Sequence, residues 1–149
     1  MSIKVYTDGA CKGNPGPGGW GVYIKFNNEE KDLYGGNPET TNNQMEMQAA
    51  LEALKYLKDE DEAIKLYTDS NYLRQGITDW IHKWKLNNWR TASKKPVANR
   101  DLWIEISDLN EKMNVEWNWV KGHAGDPGNE RADHLANMGA ENGYSAYFF

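Results

Sequence analysis

The run Ile3-Lys4-Val5-Tyr6-Thr7 alternates apolar and polar side chains, which is the period of a β-strand. The same period returns over residues 20–26, where Val22, Ile24 and Phe26 share a face, and more weakly over residues 31–35. It recurs over residues 63–68 and 115–120, the latter placing Val115, Trp117 and Trp119 together. Helical spacing takes over between these segments. Met47, Ala50, Leu51, Leu54 and Leu57 form an apolar stripe over residues 44–57, introduced by the cap-forming run Thr40-Thr41-Asn42-Asn43. Ser70-Asn71 caps a short helix to about Gly76, and Thr78 or Asp79 caps another that carries Trp80, Ile81 and Trp84. Leu102, Ile106 and Leu109 turn inward on a helix over 99–113, and Ala132, Leu135, Ala136 and Met138 do so over 129–142.

The connections suggest how these elements assemble. Residues 9–19 hold so many Gly and Pro that they predict a loop, and Asn27-Asn28 predicts a turn. The first three strands then form an antiparallel meander. A strand–helix–strand unit favours a parallel, right-handed crossover, which sets the fourth strand beside the first. Residues 59–62 form an acidic, solvated connector, residues 121–128 a second flexible loop, and the aromatic tail 143–149 packs back or frays. No linker divides the chain, so 1–149 is expected to be a single domain, with a basic protrusion at about 79–100.

Composition sharpens this picture at two points. With 39% hydrophobic and 12% aromatic residues, seven of them Trp, the chain is too apolar for disorder. The only cysteine is Cys11, the N-terminus lacks the pattern of a signal peptide, and no apolar run approaches membrane-spanning length. A cytoplasmic protein is expected. The net charge of −5 argues against a polyanionic partner, but its distribution does not. From Trp80 to Arg100 there is no acidic residue, while Lys83, Lys85, Arg90, Lys94, Lys95 and Arg100 are basic, so a local basic face sits on an acidic body.

The candidate chemistry lies in carboxylates. Val5-Tyr6-Thr7-Asp8 and Leu66-Tyr67-Thr68-Asp69 are near repeats, each a strand that ends in an aspartate. Parallel neighbours bring these aspartates to one edge, the edge at which open α/β sheets bind ligands. Glu46 lies in the first turn of its helix and Asp133 within the last helix. Singly, each has an ordinary alternative: a turn residue for Asp8 and Asp69, a dipole-complementing acid for Glu46, a solvated side chain for Asp133. Jointly, four oxygen ligands without Cys or paired His suit a hard cation, Mg²⁺ or Mn²⁺. His123, between two glycines, is by itself an ordinary loop histidine, and His82 and His134 are left as surface residues. The tryptophans are core residues first, although Trp89 in a basic loop could stack on sugar or base.

Several of these stretches together carry a resemblance. Tyr6-Thr7-Asp8-Gly9, Gly13-Asn14-Pro15-Gly16-Pro17-Gly18-Gly19, Thr40-Thr41-Asn42-Asn43-Gln44-Met45-Glu46, Thr68-Asp69-Ser70, Trp119-Val120-Lys121-Gly122-His123-Ala124-Gly125 and Asn129-Glu130-Arg131-Ala132-Asp133 resemble bacterial type 1 ribonuclease H, in that family's order and spacing and over nearly the whole chain. The resemblance implies an α/β ribonuclease H-like fold, with a five-stranded mixed sheet of three antiparallel and two parallel strands flanked by helices. It implies a monomeric endoribonuclease that hydrolyses the RNA strand of RNA–DNA hybrids by a two-metal-ion mechanism, leaving 3′-hydroxyl and 5′-phosphate ends. Asp8, Glu46, Asp69 and Asp133 match the family's catalytic, metal-holding carboxylates, and His123 its mobile catalytic histidine. Glu130 would assist from just outside the ligand set.

Substrate contacts are expected from Gly9, Cys11, Asn14, Asn43 and Glu46 around the ribose 2′-hydroxyl, and from Thr41 and Asn42 on phosphate. Asn71, Trp80, Lys85, Trp89, Lys94 and Lys95 complete the expected contact surface. The chain departs from its relatives in Lys85-Leu86-Asn87-Asn88, less basic than is usual there, which predicts weaker, salt-sensitive substrate binding. Asn71 stands where Gln is frequent, and Gln44 where Arg is. Two rivals remain: another nuclease on the same fold, such as a recombinase or integrase, and a non-catalytic hybrid-binding module.

Overall fold

The computed structural model describes residues 2–122, 124–142 and 147–148. Five strands form the body of one mixed sheet: β1 (Ser2–Cys11), β2 (Gly16–Phe26), β3 (Glu29–Thr40), β4 (Ala63–Thr68) and β5 (Val115–Trp119). A two-residue strand, β6 (Tyr147–Phe148), extends its edge, giving the order β5-β4-β1-β2-β3-β6. The meander β1–β2–β3 is antiparallel, and β1 pairs parallel with β4, which pairs parallel with β5. The mixed five-stranded sheet expected from the sequence is therefore present, and the tail adds one short pairing with Leu33 and Tyr34.

Alternation decides what each face of the sheet covers. Ile3, Val5, Val22, Ile24, Leu33, Ile64 and Leu66 are all buried, and they join Leu51, Leu54, Leu73, Trp103 and Ile106 in one core. The last five come from α1 (Asn42–Leu57), α2 (Asn71–Gln75) and α4 (Arg100–Lys112). The remaining helices are α3 (Ile81–Leu86) and α5 (Pro127–Asn142), and α5 packs across β1, β2 and β3.

The glycine-rich stretch folds differently from its sequence expectation. β1 continues to Cys11 and β2 begins at Gly16, so only residues 12–15 turn. The glycines are needed for proximity. A Cβ on Gly19 would lie 2.2 Å from the Ala136 carbonyl oxygen and the Ala140 nitrogen, and one on Gly21 would lie 2.4 Å from the Ala132 carbonyl oxygen. These strand residues are bare so that α5 can dock directly on the sheet backbone. Composition reports the glycines, but turn formation and close approach share that signature.

The segment after β4 also differs. Ser70 caps α2, its hydroxyl accepting the Leu73 N–H at 3.1 Å. Neither Thr78 nor Asp79 starts a second helix. Instead a π-helical turn, Gly76–Trp80, runs straight into α3. A Cβ on Gly76 would sit 2.0 Å from the Trp103 ring, so the wide turn accommodates a fully buried indole. Residues 87–99 then return to α4. Asn88 and Trp89 take positive φ of 54° and 59°, and the Arg90–Pro96 bridge closes the loop.

Candidate active site

The register of β1 and β4 ends at Thr7 beside Thr68, so Asp8 and Asp69 are the next residues on neighbouring parallel strands. Asp8 is held further by its own strand, because β1 keeps pairing with β2 past this point, Asp8 opposite Gly21. Glu46 arrives from α1. Thr41 is the N-cap, and its hydroxyl accepts the Gln44 N–H at 3.1 Å while the Gln44 side chain accepts the Thr41 N–H at 3.2 Å. The helix thus begins at Asn42, two residues before the sequence expectation, and Glu46 falls in the second turn. It does not serve the helix terminus, since α1 has no acid in its first turn.

The three side chains converge. Asp8, Glu46 and Asp69 each offer one carboxylate oxygen within 4.8 Å of the others. Asp8 is 5% exposed and Glu46 4%. Gly9 makes this approach possible, since a Cβ there would lie 2.4 Å from the Glu46 nitrogen. Its N–H donates to Asp8 Oδ1 at 2.9 Å and also to Glu46 Oε1. Asn129, 2% exposed, donates from Nδ2 to Asp69 Oδ2 at 3.3 Å. Asn129 is absent from the sequence-derived site. Its spacing of four from Asp133 in one helix was the available signal, since such residues share a face.

A cavity of about 370 Å³ opens over the cluster, lined by Asp8, Gly9, Asn42, Asn43, Glu46, Asp69, Ser70, Asn71, Tyr72 and Asp133. Asp133, half-buried, joins the cavity from α5 without entering the tight set of three. Burial pushes the Asp8 carboxyl up to about 8; Asp69 and Asp133 push the same way, while hydrogen bonds with Glu46 and Gly9 oppose. Glu46 is also raised well above the usual carboxylate range, first by burial and then by Asp8 and Asp69. Like charges brought together out of water hold protons unless a cation replaces them. Among the described residues the donor set is carboxylate oxygen alone, which fits a hard divalent metal ion.

The other expected contacts separate into groups. Asn42, Asn43 and Asn71 are exposed on the cavity rim, and Asn14 accepts the Asn42 N–H at 3.0 Å. Thr41 is committed to its cap. Cys11 belongs to β1, and its thiol donates toward the Gly16 and Thr40 carbonyls at 3.5 and 3.4 Å. Trp80 and Trp89 belong to an aromatic row rather than standing free: ring centroids lie 5.5 Å apart for Tyr72–Trp80, 5.8 Å for Trp80–Trp84 and 6.4 Å for Trp84–Trp89. Lys85 is paired with Glu111 of α4, whereas Lys94 and Lys95 are exposed. Glu130 is exposed in the first turn of α5, outside the cavity lining. His123 lies outside the described residues. The preceding Gly122 passes close enough to Asp69 that a Cβ would be 2.8 Å from its Oδ2.

Among the described residues, no helix is long and apolar enough to cross a membrane. Residues 1–141 match the family model for RNase H. The chain is 57% identical over 138 residues to a ribonuclease H from Maricaulis maris, covering 93% of each sequence. It superposes with a TM-score of 0.86 on the crystal structure of LC9-RNase H1, a type 1 RNase H with the type 2 active-site motif, at 34% identity over 95% of this chain and 72% of that one. LC11-RNase H1, crystallised in complex with RNA/DNA hybrid, shares the fold with a TM-score of 0.69 at 24% identity, covering 94% of this chain and 97% of that one. A cavity floored by three converging carboxylates at the end of two parallel strands is thus set in a chain that belongs to the RNase H family.

Proposed function

We propose that the chain hydrolyses the RNA strand of RNA–DNA hybrids with Mg²⁺ as its metal, cutting internally to leave 3′-hydroxyl and 5′-phosphate ends. The observation that carries this reading is the convergence of Asp8, Glu46 and Asp69 beneath an open cavity, since clustered negative charge repels nucleic acid unless it holds cations. A module that only binds hybrids gains nothing from such a cluster. When bound, two divalent ions would supply charge stabilisation at the phosphodiester and a water of lowered pKa.

The residues then divide the work. Asp8, the most central, would hold the metal together with Glu46 and Asp69, and Asp133 would add a carboxylate from the cavity wall. Asn129 fixes the rotamer of Asp69, and Gly9 holds Asp8 and Glu46 through one N–H. The polar rim of Asn42, Asn43 and Asn71 faces the strand to be cut, and Asn14 supports it through Asn42. RNA is told from DNA by its 2′-hydroxyl, which Asn43, Glu46 and the backbone of residues 9–11 would read. His123 transfers a proton or ushers the product away, with Glu130 assisting, since imidazole can both take up and release a proton near neutral pH. Lys85, Lys94 and Lys95 hold phosphates at the protrusion. The chain acts as one cytoplasmic, monomeric domain.

The test is cleavage of matched RNA–DNA hybrid, duplex DNA and duplex RNA, with Mg²⁺ and with EDTA. Cleavage of the hybrid alone, and only with metal, is expected. Cutting of duplex DNA would favour the recombinase-like rival, and cutting in EDTA would sink the metal mechanism.

A further inference from the structure

The protrusion leaves the fold along α2 and returns at Asn99, and the two legs meet at one phenol. The Tyr72 hydroxyl accepts Asn99 Nδ2 at 3.1 Å and Trp103 Nε1 at 3.3 Å. Asn99 precedes α4 with left-handed backbone, φ 58° and ψ 32°, and its side chain makes no cap bond to that helix. Asn tolerates this conformation better than most residues. Its side chain is turned instead to Tyr72 and to Gln44, whose Nε2 donates to Asn99 Oδ1 at 3.2 Å. Gln44 in turn closes the cap of α1, its Oε1 accepting from Thr40 Oγ1 at 2.9 Å and from the Thr41 N–H at 3.2 Å. The Tyr72 ring also heads the aromatic row of the protrusion, 5.5 Å from Trp80 and 5.4 Å from Trp103.

This network is continuous from the row of tryptophans to the cap of the helix that carries Asn42, Asn43 and Glu46. We propose that Tyr72 is a positioning residue that fixes the protrusion relative to the catalytic cavity, so that a hybrid reaching both is gripped in register. The proposal rests on the hybrid-cleaving function above. Without the hydroxyl, the legs remain packed but lose their common pin. A duplex spanning both surfaces must then supply the order itself, at a cost in affinity. A duplex too short to reach the protrusion should lose less, because it meets Tyr72 only at the cavity wall.

Length dependence tests this. The helical stretch from Asn71 to Leu86 spans about 24 Å at 1.5 Å per residue. A hybrid hairpin of about six base pairs covers ~20 Å, whereas one of about 20 base pairs covers ~70 Å. Tyr72→Phe should lower the long-to-short ratio of kcat/KM by about 5-fold, the equivalent of one hydrogen bond. Gln44→Met breaks the network at its other end and should lower the ratio similarly. The double variant should fall well short of the product of the two effects, because both remove one coupling. A ratio unchanged in Tyr72→Phe, or effects that multiply, would overturn the proposal. Wild-type protein that cleaves neither hybrid would instead overturn the functional reading beneath it.

Discussion

The catalytic cavity and the protrusion are built on opposite physical terms. The cavity buries acids that repel one another: Asp8 and Glu46 are almost fully enclosed, and both are pushed toward their protonated forms. The protrusion exposes cations and is ordered by aromatic contact, with Tyr72, Trp80, Trp84, Trp89 and Trp103 in one connected group. The first region stores unfavourable energy that a ligand can relieve. The second is stable as it stands and offers charge at its surface. Substitution should therefore act in opposite directions in the two places, with function and stability traded against each other only in the cavity.

The largest effect expected is on cleavage. Asp8→Asn keeps the shape and removes the central negative charge, and hybrid cleavage in Mg²⁺ should fall by about 10³-fold or more, several kcal/mol of transition-state stabilisation. Activity within about tenfold of wild type would break the assignment. The same variant should gain stability. Asp8 is raised from 3.8 in the unfolded chain to about 8 in the fold. The folded state therefore binds the proton more tightly, and stability is lost as pH rises between those values, because the unfolded chain ionises first. In EDTA, Asp8→Asn should be more stable than wild type by roughly 1–3 kcal/mol at about pH 8, with a smaller gain at about pH 5. Urea midpoints measure this, and an equal gain at both pH values would show that the Asp8 carboxylate is not strained. The smallest effect belongs to the protrusion. Restoring lysine at Leu86, which is 86% exposed, and at Asn87 should lower KM for hybrid by about 3- to 10-fold at low salt and steepen the salt dependence. A KM unmoved by both substitutions would mean that this surface does not meet the substrate.

The two regions also differ in how legible they were in the sequence. The strands around the cavity follow from alternation, and Ala63–Thr68 matches its expected bounds because apolar and polar positions alternate cleanly there. Asp8 and Asp69 came from the repeated Tyr-Thr-Asp, since parallel strands with like endings bring those endings together. Asn129 did not emerge, because an amide's role depends on the carboxylate it meets across 60 residues of chain. The continuous helix through Gly76 was hidden because Thr and Asp at 78 and 79 look like caps, whereas the Thr78 hydroxyl bonds back to the Arg74 carbonyl at 2.8 Å. The glycine-rich segment misled for a related reason: what demands glycine at 19 and 21 is a helix more than a hundred residues later. Lys85 had a visible charge but an invisible partner in Glu111. A surface ion pair of this kind contributes at most about 1 kcal/mol, so it tempers the cation without removing it.

Because β1 runs on past Asp8 to Cys11, the residue is flanked on both sides by ladder pairs, Thr7 with Val22 and Gly9 with Trp20. Sites mounted on loops lose their geometry when the loop opens, often well below the melting of the domain. Here the central acid is fixed by the same hydrogen bonds that define the sheet. On heating, inactivation and global unfolding should coincide, and a refolded sheet should carry its aspartate already in place.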